Sequence, residues 1–339
     1  MKLTMNLQTS SYDIHIEKGS LHKLADLISL KRKVLILTDS GIPAVYREIV
    51  RSLCQDPHII CLEGGEDCKT LASYEMILSY MLDNNFTRSD CVLALGGGVI
   101  GDLAGFVAAS YMRGIDFYNL PTTLLSQIDS SIGGKTGVNL NSVKNIVGAF
   151  YQPKGVVIDP ACLASLPPAQ WRSGIAEAIK MAICFDEDFF RLLVNEDGFS
   201  IPETVIHRSL VIKKKVVEED EKEGGRRKLL NFGHTVGHAI EAKSGLSHGE
   251  CVAIGMTYFV SDRVRPLLIE ALDKYGLPSV SPLPLEDILA TIAHDKKARG
   301  NRISLVYVDR PGSCTLIERS LEKLADDLTR GSFSAEADR

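Results

Sequence analysis

The sequence predicts an α/β fold: a doubly wound parallel sheet in the first half, followed by a mostly α-helical second half. Three observations predict it. Near-continuous apolar runs such as Lys33–Asp39 end in an acid, as buried parallel strands do. Strand-like and helix-like stretches alternate through the first half. Beyond Leu166-Pro167-Pro168 the patterns turn helical, and one stretch spaces Asn231, His234 and His238 by three and then four residues.

At 339 residues, two domains are expected and a sizeable core is easily buried. Charged residues make up 24% of the chain and the net charge is −5, which leaves no basic footprint for nucleic acid. The longest apolar stretch, Val92 to Ser110, is rich in glycine and carries Asp102, so it reads as strand, turn and helix, not as a membrane span. No basic and then apolar leader opens the chain. The eight cysteines form no CxxC pair and read as reduced residues of a cytoplasmic protein.

In order, Tyr12–Ile16 alternates like a half-buried strand and Lys33–Asp39 reads as a central one. A helix follows over Pro43–Leu53, a strand over His58–Leu62, a helix to about Asn84, and a strand over Asp90–Leu95. Ligands of such sheets sit beyond the carboxyl ends of the strands, where Asp39, Glu66 and Gly96 fall. Gly96, Gly98 and Gly101 spell GxGxxG after a strand, a pattern that turns backbone N–H groups toward a pyrophosphate. The acid expected about 20 residues later is missing, so a structural turn remains an alternative, and Asp39 suits the ribose hydroxyls better. Asp129 and Lys135 share one polar, glycine-rich loop that suggests substrate contacts, and Lys154–Asp159 closes the sheet.

In the second half, Glu177 and Lys180 share a helix face, where a surface ion pair is the ordinary alternative. A long helix is expected over Pro202–Glu223, with Lys213 near its middle. A helix through Leu229–Glu241 would place Asn231, His234 and His238 on one polar stripe that Arg227 extends. Gly233 and Gly237, four apart on that helix, would let another backbone approach closely. Ser247-His248-Gly249-Glu250 adds a third histidine in a turn-like setting. Two histidines on one face with a third nearby can hold a divalent metal; core-edge histidines bonded to carbonyls are the alternative. The chain is helical and apolar again from Val252, and Ile303–Val308 is a late strand.

The segments GGGVIGDLAGFVAASYMRG (96–114), LPTTLLSQIDSSIGGKTGVN (120–139), KNIVGAFYQP (144–153), GIAEAIK (174–180), VVEEDEKEGG (216–225), LNFGHTVGHAIE (230–241), HGE (248–250) and HDKK (294–297) stand in one order. Together they resemble the 3-dehydroquinate synthase family of sugar phosphate cyclases. The resemblance implies a Rossmann-like NAD-binding domain over 1–166 and an α-helical metal- and substrate-binding domain over 167–330; the polar composition of 331–339 points to a disordered tail. The resemblance also implies that Asp39, Gly65, Glu66, Lys69, Gly98, Val99, Ile100, Gly101, Asp102, Thr122, Thr123, Cys162 and Ser165 line the NAD site, with Lys135 and Lys144. Asp129, Lys135, Lys144 and Asn145 would sit between cofactor and substrate. Glu177, His234 and His248 match the ligands of one divalent ion, zinc or cobalt. His238 matches a residue at the substrate phosphate, which sets aside the reading of both stripe histidines as ligands. Lys180, Lys213, Arg227, Asn231 and one lysine of the Lys296-Lys297 pair, taken as Lys297, match substrate contacts, and Asp129, Lys135, Lys180 and His238 make up the implied catalytic set. Arg113 matches an arginine that reaches across a homodimer interface. Three departures stand out: Gly64-Gly65-Glu66 in place of Asp-Gly-Glu, Arg226 in place of a leucine, and Cys162-Leu163-Ala164-Ser165 in place of a Phe-led stretch.

The implied substrate, 3-deoxy-D-arabino-heptulosonate 7-phosphate, is a sugar acid with one phosphate. NAD would oxidise a hydroxyl and make the neighbouring proton acidic. Phosphate would leave by β-elimination, the ketone would be reduced again, and the ring would close as a carbocycle. A metal would act as Lewis acid on the reacting oxygen, and two histidines with one carboxylate leave positions open for it. Lysines and an arginine match the phosphate and the carboxylate. Two other readings share these sites: another sugar phosphate cyclase, whose substrate lacks the carboxylate, and a metal-dependent polyol dehydrogenase, which would release NADH.

Overall fold

The apolar runs of the first half become strands buried on both faces. In the computed structural model, which describes residues 1–8, 10–141, 143–296, 302–330 and 333, the chain divides into two units, Met1–Pro167 and Pro168–Arg339. In the first, strands β1 (Lys2–Asn6), β2 (Ser11–Ile16) and β3 (Lys33–Asp39) flank α1 (Leu24–Leu27). Then come α2 (Ala44–Leu53), β4 (Asp56–Leu62), α3 (Leu71–Asp83), β5 (Cys91–Gly96), α4 (Gly98–Ser110) and β6 (Asp116–Pro121). A hairpin of β7 (Lys135–Leu140) and β8 (Val143–Phe150) precedes β9 (Gly155–Ile158). Seven strands pair in the order β1-β2-β9-β6-β5-β3-β4, with only β1 antiparallel to its neighbour.

Alternation within β3 and β5 explains the near-continuous runs. Leu35, Leu37, Val92 and Ala94 pack with Ile100, Leu103 and Val107 of α4, while Val34, Ile36, Leu93 and Leu95 enter a second core with Leu24 and Val50. Each fully buried aliphatic side chain contributes roughly 1.5–3 kcal/mol. The hairpin β7–β8 escaped the sequence reading because β8 is largely exposed and carries no apolar alternation. One expectation is corrected here. Asp129 and Lys135 do not share a loop: Asp129 lies in a π-helical turn, Ser126–Ser130, and Lys135 opens β7.

The second unit holds α5 (Pro168–Phe185), α6 (Glu187–Asn195), α7 (Pro202–Glu219), α8 (His234–Ser244), α9 (His248–Thr257), α10 (Arg265–Lys274) and α11 (Leu285–Lys296). It closes with the antiparallel hairpin of β10 (Arg302–Arg310) and β11 (Ser313–Ser320), then α12 (Leu321–Arg330). None of the described helices is long and apolar enough to cross a membrane. The long helix ends at Glu219, short of the expected Glu223. Asp220 stops it by accepting the backbone N–H groups of Gly224, Gly225 and Arg227 at 2.8–2.9 Å.

The single stripe is also corrected. Arg226–Asn231 is a separate 3-10 turn, Phe232 is buried, and α8 begins only at His234 after Gly233 at φ 79. Arg227 and Asn231 therefore share no helix face with His234 and His238. The glycines do admit a neighbouring backbone. A Cβ on Gly255 of α9 would fall 2.0 Å from the Gly233 carbonyl oxygen, and one on Gly237 would fall 3.0 Å from that of Cys251. His248 does not sit in a turn but opens α9, behind a capping box of Ser247 and Glu250. Of the residues from 331 on, only Phe333 is described, its ring packed on Phe259 and Tyr307, so the expected disordered tail otherwise lies outside the described residues.

Candidate active site

Five parallel strands of the first unit end beside the residues named for a dinucleotide. Asp39 ends β3, Gly65, Glu66 and Lys69 follow β4, and Gly98 opens α4 after β5. Thr122 and Thr123 follow β6, and Cys162 and Ser165 lie in a 3-10 turn after β9. The first N–H groups of α4 have no partner within the helix, which makes this end an anion cradle. Its floor is tight: a Cβ on Gly98 would fall 2.9 Å from Ser130 Oγ, and one on Gly97 would fall 3.1 Å from Thr123 Cγ2. The buried hydroxyls of Thr38, Thr122 and Ser130 have no hydrogen-bond partner among the described residues, so polar groups remain to be met at the ends of β3 and β6. These features fit a bound pyrophosphate and ribose.

Asp39 accepts the Gly41 N–H at 2.8 Å through Oδ1, and burial raises its carboxyl above the ordinary value. Gly64 belongs to the same tight corner, where a Cβ would come within 3.3 Å of the Gly41 nitrogen. Gly65 sits at φ 115. Lys69 is 3% exposed and gives its ammonium to Asp102 at 2.6 Å and to the Asn145 side chain. The Cys162 thiol is pushed up to about 12 by burial, so it is an uncharged wall, and its carbonyl accepts the Ser165 hydroxyl at 3.0 Å. Lys135, Lys144 and Asn145 are exposed on the hairpin.

The second unit builds its site from helix starts. His234 and His248 are the first residues of α8 and α9, and Glu177 lies within α5. Their ligand atoms all lie within 4.8 Å of one another. Glu177 Oε1 stands 3.7 Å from His234 Nε2 and 3.5 Å from His248 Nε2. Ligands about 2.0–2.2 Å from a tetrahedral zinc lie roughly 3.4 Å apart, so this spacing fits one ion. The far nitrogens are fixed as well. His234 Nδ1 donates to the Phe232 carbonyl at 3.1 Å and His248 Nδ1 donates to Glu241 Oε2 at 3.0 Å, which turns both Nε2 atoms toward Glu177.

The alternative of a surface pair at Glu177 and Lys180 is set aside by their burial. The two form an ion pair at 1% and 2% exposure. Burial opposes charge on Glu177, but Lys180 and the two histidines outweigh it and hold the carboxyl well below the usual range. Burial and the Lys180 charge push His234 down to about 3, so its imidazole is neutral and ready to ligate. Burial also disfavours the His248 imidazolium, yet hydrogen bonds to Glu177 and Glu241 raise it to about 9. A cation taking Nε2 would displace that proton. A second grouping, His238, Glu241 and His248, is equally close. The first is favoured because it is buried around one carboxylate, whereas His238 is exposed, with its ring centroid 5.2 Å from that of His234.

Arg227 is 2% exposed and gives Nη1 to the Glu221 carbonyl at 2.5 Å, while Lys213 is buried on α7. Arg226 points elsewhere, into a half-exposed pair with Glu219 at 2.9 Å. Asn231 is exposed and donates to Glu223 at 3.1 Å. Arg113 is exposed in the turn after α4, at φ 68. Lys297 lies outside the described residues. Sequence reasoning missed Glu241, Phe232 and Asp220, which act through fixed imidazoles and a capped loop. Only Glu241, seven residues before His248, offered any signal, and that spacing marks no regular element.

The family described as 3-dehydroquinate synthase N-terminal matches residues 59–173, and 3-dehydroquinate synthase C-terminal matches residues 174–298. A 3-dehydroquinate synthase of Streptococcus thermophilus is 41% identical over 97% of this chain and 100% of its own length. One of Enterococcus faecalis is 40% identical over 97% of this chain and 99% of its own. Among solved structures, 2-deoxy-scyllo-inosose synthase complexed with carbaglucose-6-phosphate, NAD+ and Co2+ superposes with a TM-score of 0.86 at 25% identity, covering 98% of this chain and 100% of that one. ValA, a 2-epi-5-epi-valiolone synthase from Streptomyces hygroscopicus with NAD+ and Zn2+ bound, gives 0.85 at 26% identity, covering 96% and 98%. Matches that run through both units at this identity settle the kinship: the chain belongs to the 3-dehydroquinate synthase family.

Proposed function

We propose that this chain converts 3-deoxy-D-arabino-heptulosonate 7-phosphate to 3-dehydroquinate and inorganic phosphate in the cytoplasm, using NAD and one zinc or cobalt ion. The observation that carries the reading is the buried convergence of Glu177, His234 and His248 in a member of this family. The cofactors of the two solved relatives support the cofactor assignment. When bound, NAD supplies reversible hydride transfer and the ion supplies Lewis acidity.

The chain's own residues do the rest. Asp39 accepts from the adenosine ribose, and the N–H groups of Gly98, Val99 and Ile100 receive the pyrophosphate, with Gly101 packing the turn. Asp102 holds Lys69, and Thr122 and Thr123 supply hydroxyls beside them. Asp129, Lys135, Lys144 and Asn145 orient the sugar acid against the cofactor. His238, beside the cluster, meets the phosphate, and the buried Lys180, Lys213 and Arg227 answer the substrate's negative charge, with Asn231 at the rim and Lys297 from the segment after α11. The buried position of Arg227, against the outward Arg226, supports Arg227 as the partner of the carboxylate.

The test is phosphate release from the heptulosonate with no net NADH. Accumulating NADH would move the reading to a polyol dehydrogenase. Inertness toward the heptulosonate, with turnover of a phosphorylated sugar lacking the carboxylate, would move it to a sister cyclase. We further propose a homodimer. Arg113 is exposed beside Met112 at 41% exposure, and β8 shows Ile146 and Phe150 at 55% and 47%, an apolar patch suited to a second copy. Mixing inactive Arg113→Ala and His234→Ala chains should restore activity in heterodimers. No recovery despite demonstrated subunit exchange would confine Arg113 to its own chain.

A further inference from the structure

Asn139 lies where the register of β7 and β8 shifts, between Val138 and Leu140. Such an irregularity turns a side chain out of the strand's alternation. Here both ends of the amide are used. Nδ2 donates to Glu66 Oε1 at 2.8 Å, and Oδ1 accepts the Asn145 N–H at 2.9 Å. The Asn139 N–H itself donates to the Lys69 carbonyl at 2.9 Å. The circuit closes through the Lys69 ammonium, which bonds Asp102 and the Asn145 side chain. Asn145 is held at φ 55, a conformation that a non-glycine residue keeps only where its surroundings fix it.

We propose that Asn139 is a positioning residue for the reaction. By bonding Glu66 and the Asn145 backbone together, it couples the cofactor-side group to the substrate-side group. The inference rests on the assignment of Glu66 and Asn145 made above. A primary amide offers a donor and an acceptor from one short side chain. Aspartate would set a second carboxylate against Glu66, and leucine would satisfy neither end. NAD that orders Glu66 then also orders Asn145, and by reciprocity the bound sugar acid tightens NAD.

The test compares metal-loaded wild type, Asn139→Asp and Asn139→Leu for NAD affinity and for the KM and kcat of the heptulosonate. Both variants should lose roughly tenfold in NAD affinity and rise roughly tenfold in KM, with metal content and Tm unchanged and kcat less affected. The two should part with pH. Facing carboxyls share a proton, so lowering the pH from about 8 to about 6 should restore Asn139→Asp toward wild type and leave Asn139→Leu impaired. Wild-type affinities in both variants would overturn the inference. So would losses that ignore pH and follow a fall in Tm or metal content, which mark a merely structural amide. Wild-type turnover reports on the functional reading alone, and the divergence of the two variants reports on Asn139.

Discussion

The two units present their chemistry in opposite ways. In Met1–Pro167 the groups stand at strand ends, partly open to solvent, and much of the binding surface is backbone shaped by glycine. In Pro168–Arg339 the key groups are side chains of opposite charge sunk among helices, with Glu177, Lys180, Lys213 and Arg227 all buried. A backbone cradle fails when something is added to it. A buried charge cluster fails when one partner is removed. The contrast predicts that damage to each unit's site should leave the other ligand's binding intact.

The largest effect should come from Glu177→Gln. It removes the carboxylate that faces both imidazoles and pairs with buried Lys180. Breaking a buried pair on one side costs about 3–5 kcal/mol. Activity and stoichiometric zinc should be lost and Tm should fall by several degrees, while NAD titration stays unchanged. Chelation of the wild type should reproduce the loss of activity without the loss of NAD binding, and Zn2+ or Co2+ should restore turnover. Full zinc content in Glu177→Gln would show that the ion is held elsewhere.

Next in size is Arg227→Ala. A charge-assisted bond to the substrate carboxylate is worth about 1.5–3 kcal/mol, so KM should rise roughly 10- to 100-fold with NAD affinity unchanged. Arg226→Ala, which loses only a surface pair, should stay within about 1 kcal/mol of wild type in stability and leave KM alone. If the two arginines exchanged these outcomes, the carboxylate would belong to Arg226. Gly98→Ala tests the other unit. Its Cβ would meet Ser130 Oγ at 2.9 Å and intrude on the first turn of α4. Overpacking of that kind costs about 1–3 kcal/mol, which should appear as weakened NAD binding with full metal content.

The same contrast explains what the sequence revealed. The first site was legible because parallel strands announce themselves by apolar runs, and their ends locate ligands before any fold is known. Asp39, Glu66 and the glycines at 96–98 do stand at strand ends, as that rule places them. The second was only half legible. The spacing of His234 and His238 marked a site but did not single out a ligand set, since α8 starts at His234, where Glu177 and His248 face it, and His238 remains exposed. Glu177 and His248 are brought to His234 by the packing of α5, α8 and α9, and no local spacing encodes that packing. The third histidine, His248, was visible near the stripe, but only the resemblance to known sequences named Glu177 as its companion. The continuous stripe failed because Gly233 at positive φ breaks the chain direction just where helical spacing ran on undisturbed.

The smallest expected effect concerns Asp39, where stability and binding should move in opposite directions. Burial is the main cause that raises its carboxyl above the ordinary 3.8, with the Gly41 N–H opposing. An acid with a raised pKa in the folded state binds protons more tightly there than in the unfolded chain. Stability therefore falls as pH rises through that value, and at neutral pH the ionised Asp39 is a liability to the fold. Asp39→Asn removes the charge and should hold or slightly raise Tm at pH 7. Binding should have the opposite sign if, as proposed, the ionised carboxylate is the acceptor for the ribose hydroxyls. Wild-type NAD affinity should decline as pH falls toward the raised value and level off above it. Asp39→Asn should bind NAD more weakly at neutral pH and lose that acid-side decline. NAD titrations across pH on both proteins, with Tm measured alongside, separate the two contributions. A lower Tm together with an unchanged acid-side decline in Asp39→Asn would mean that Asp39 supports the turn at Gly41 and does not meet the cofactor.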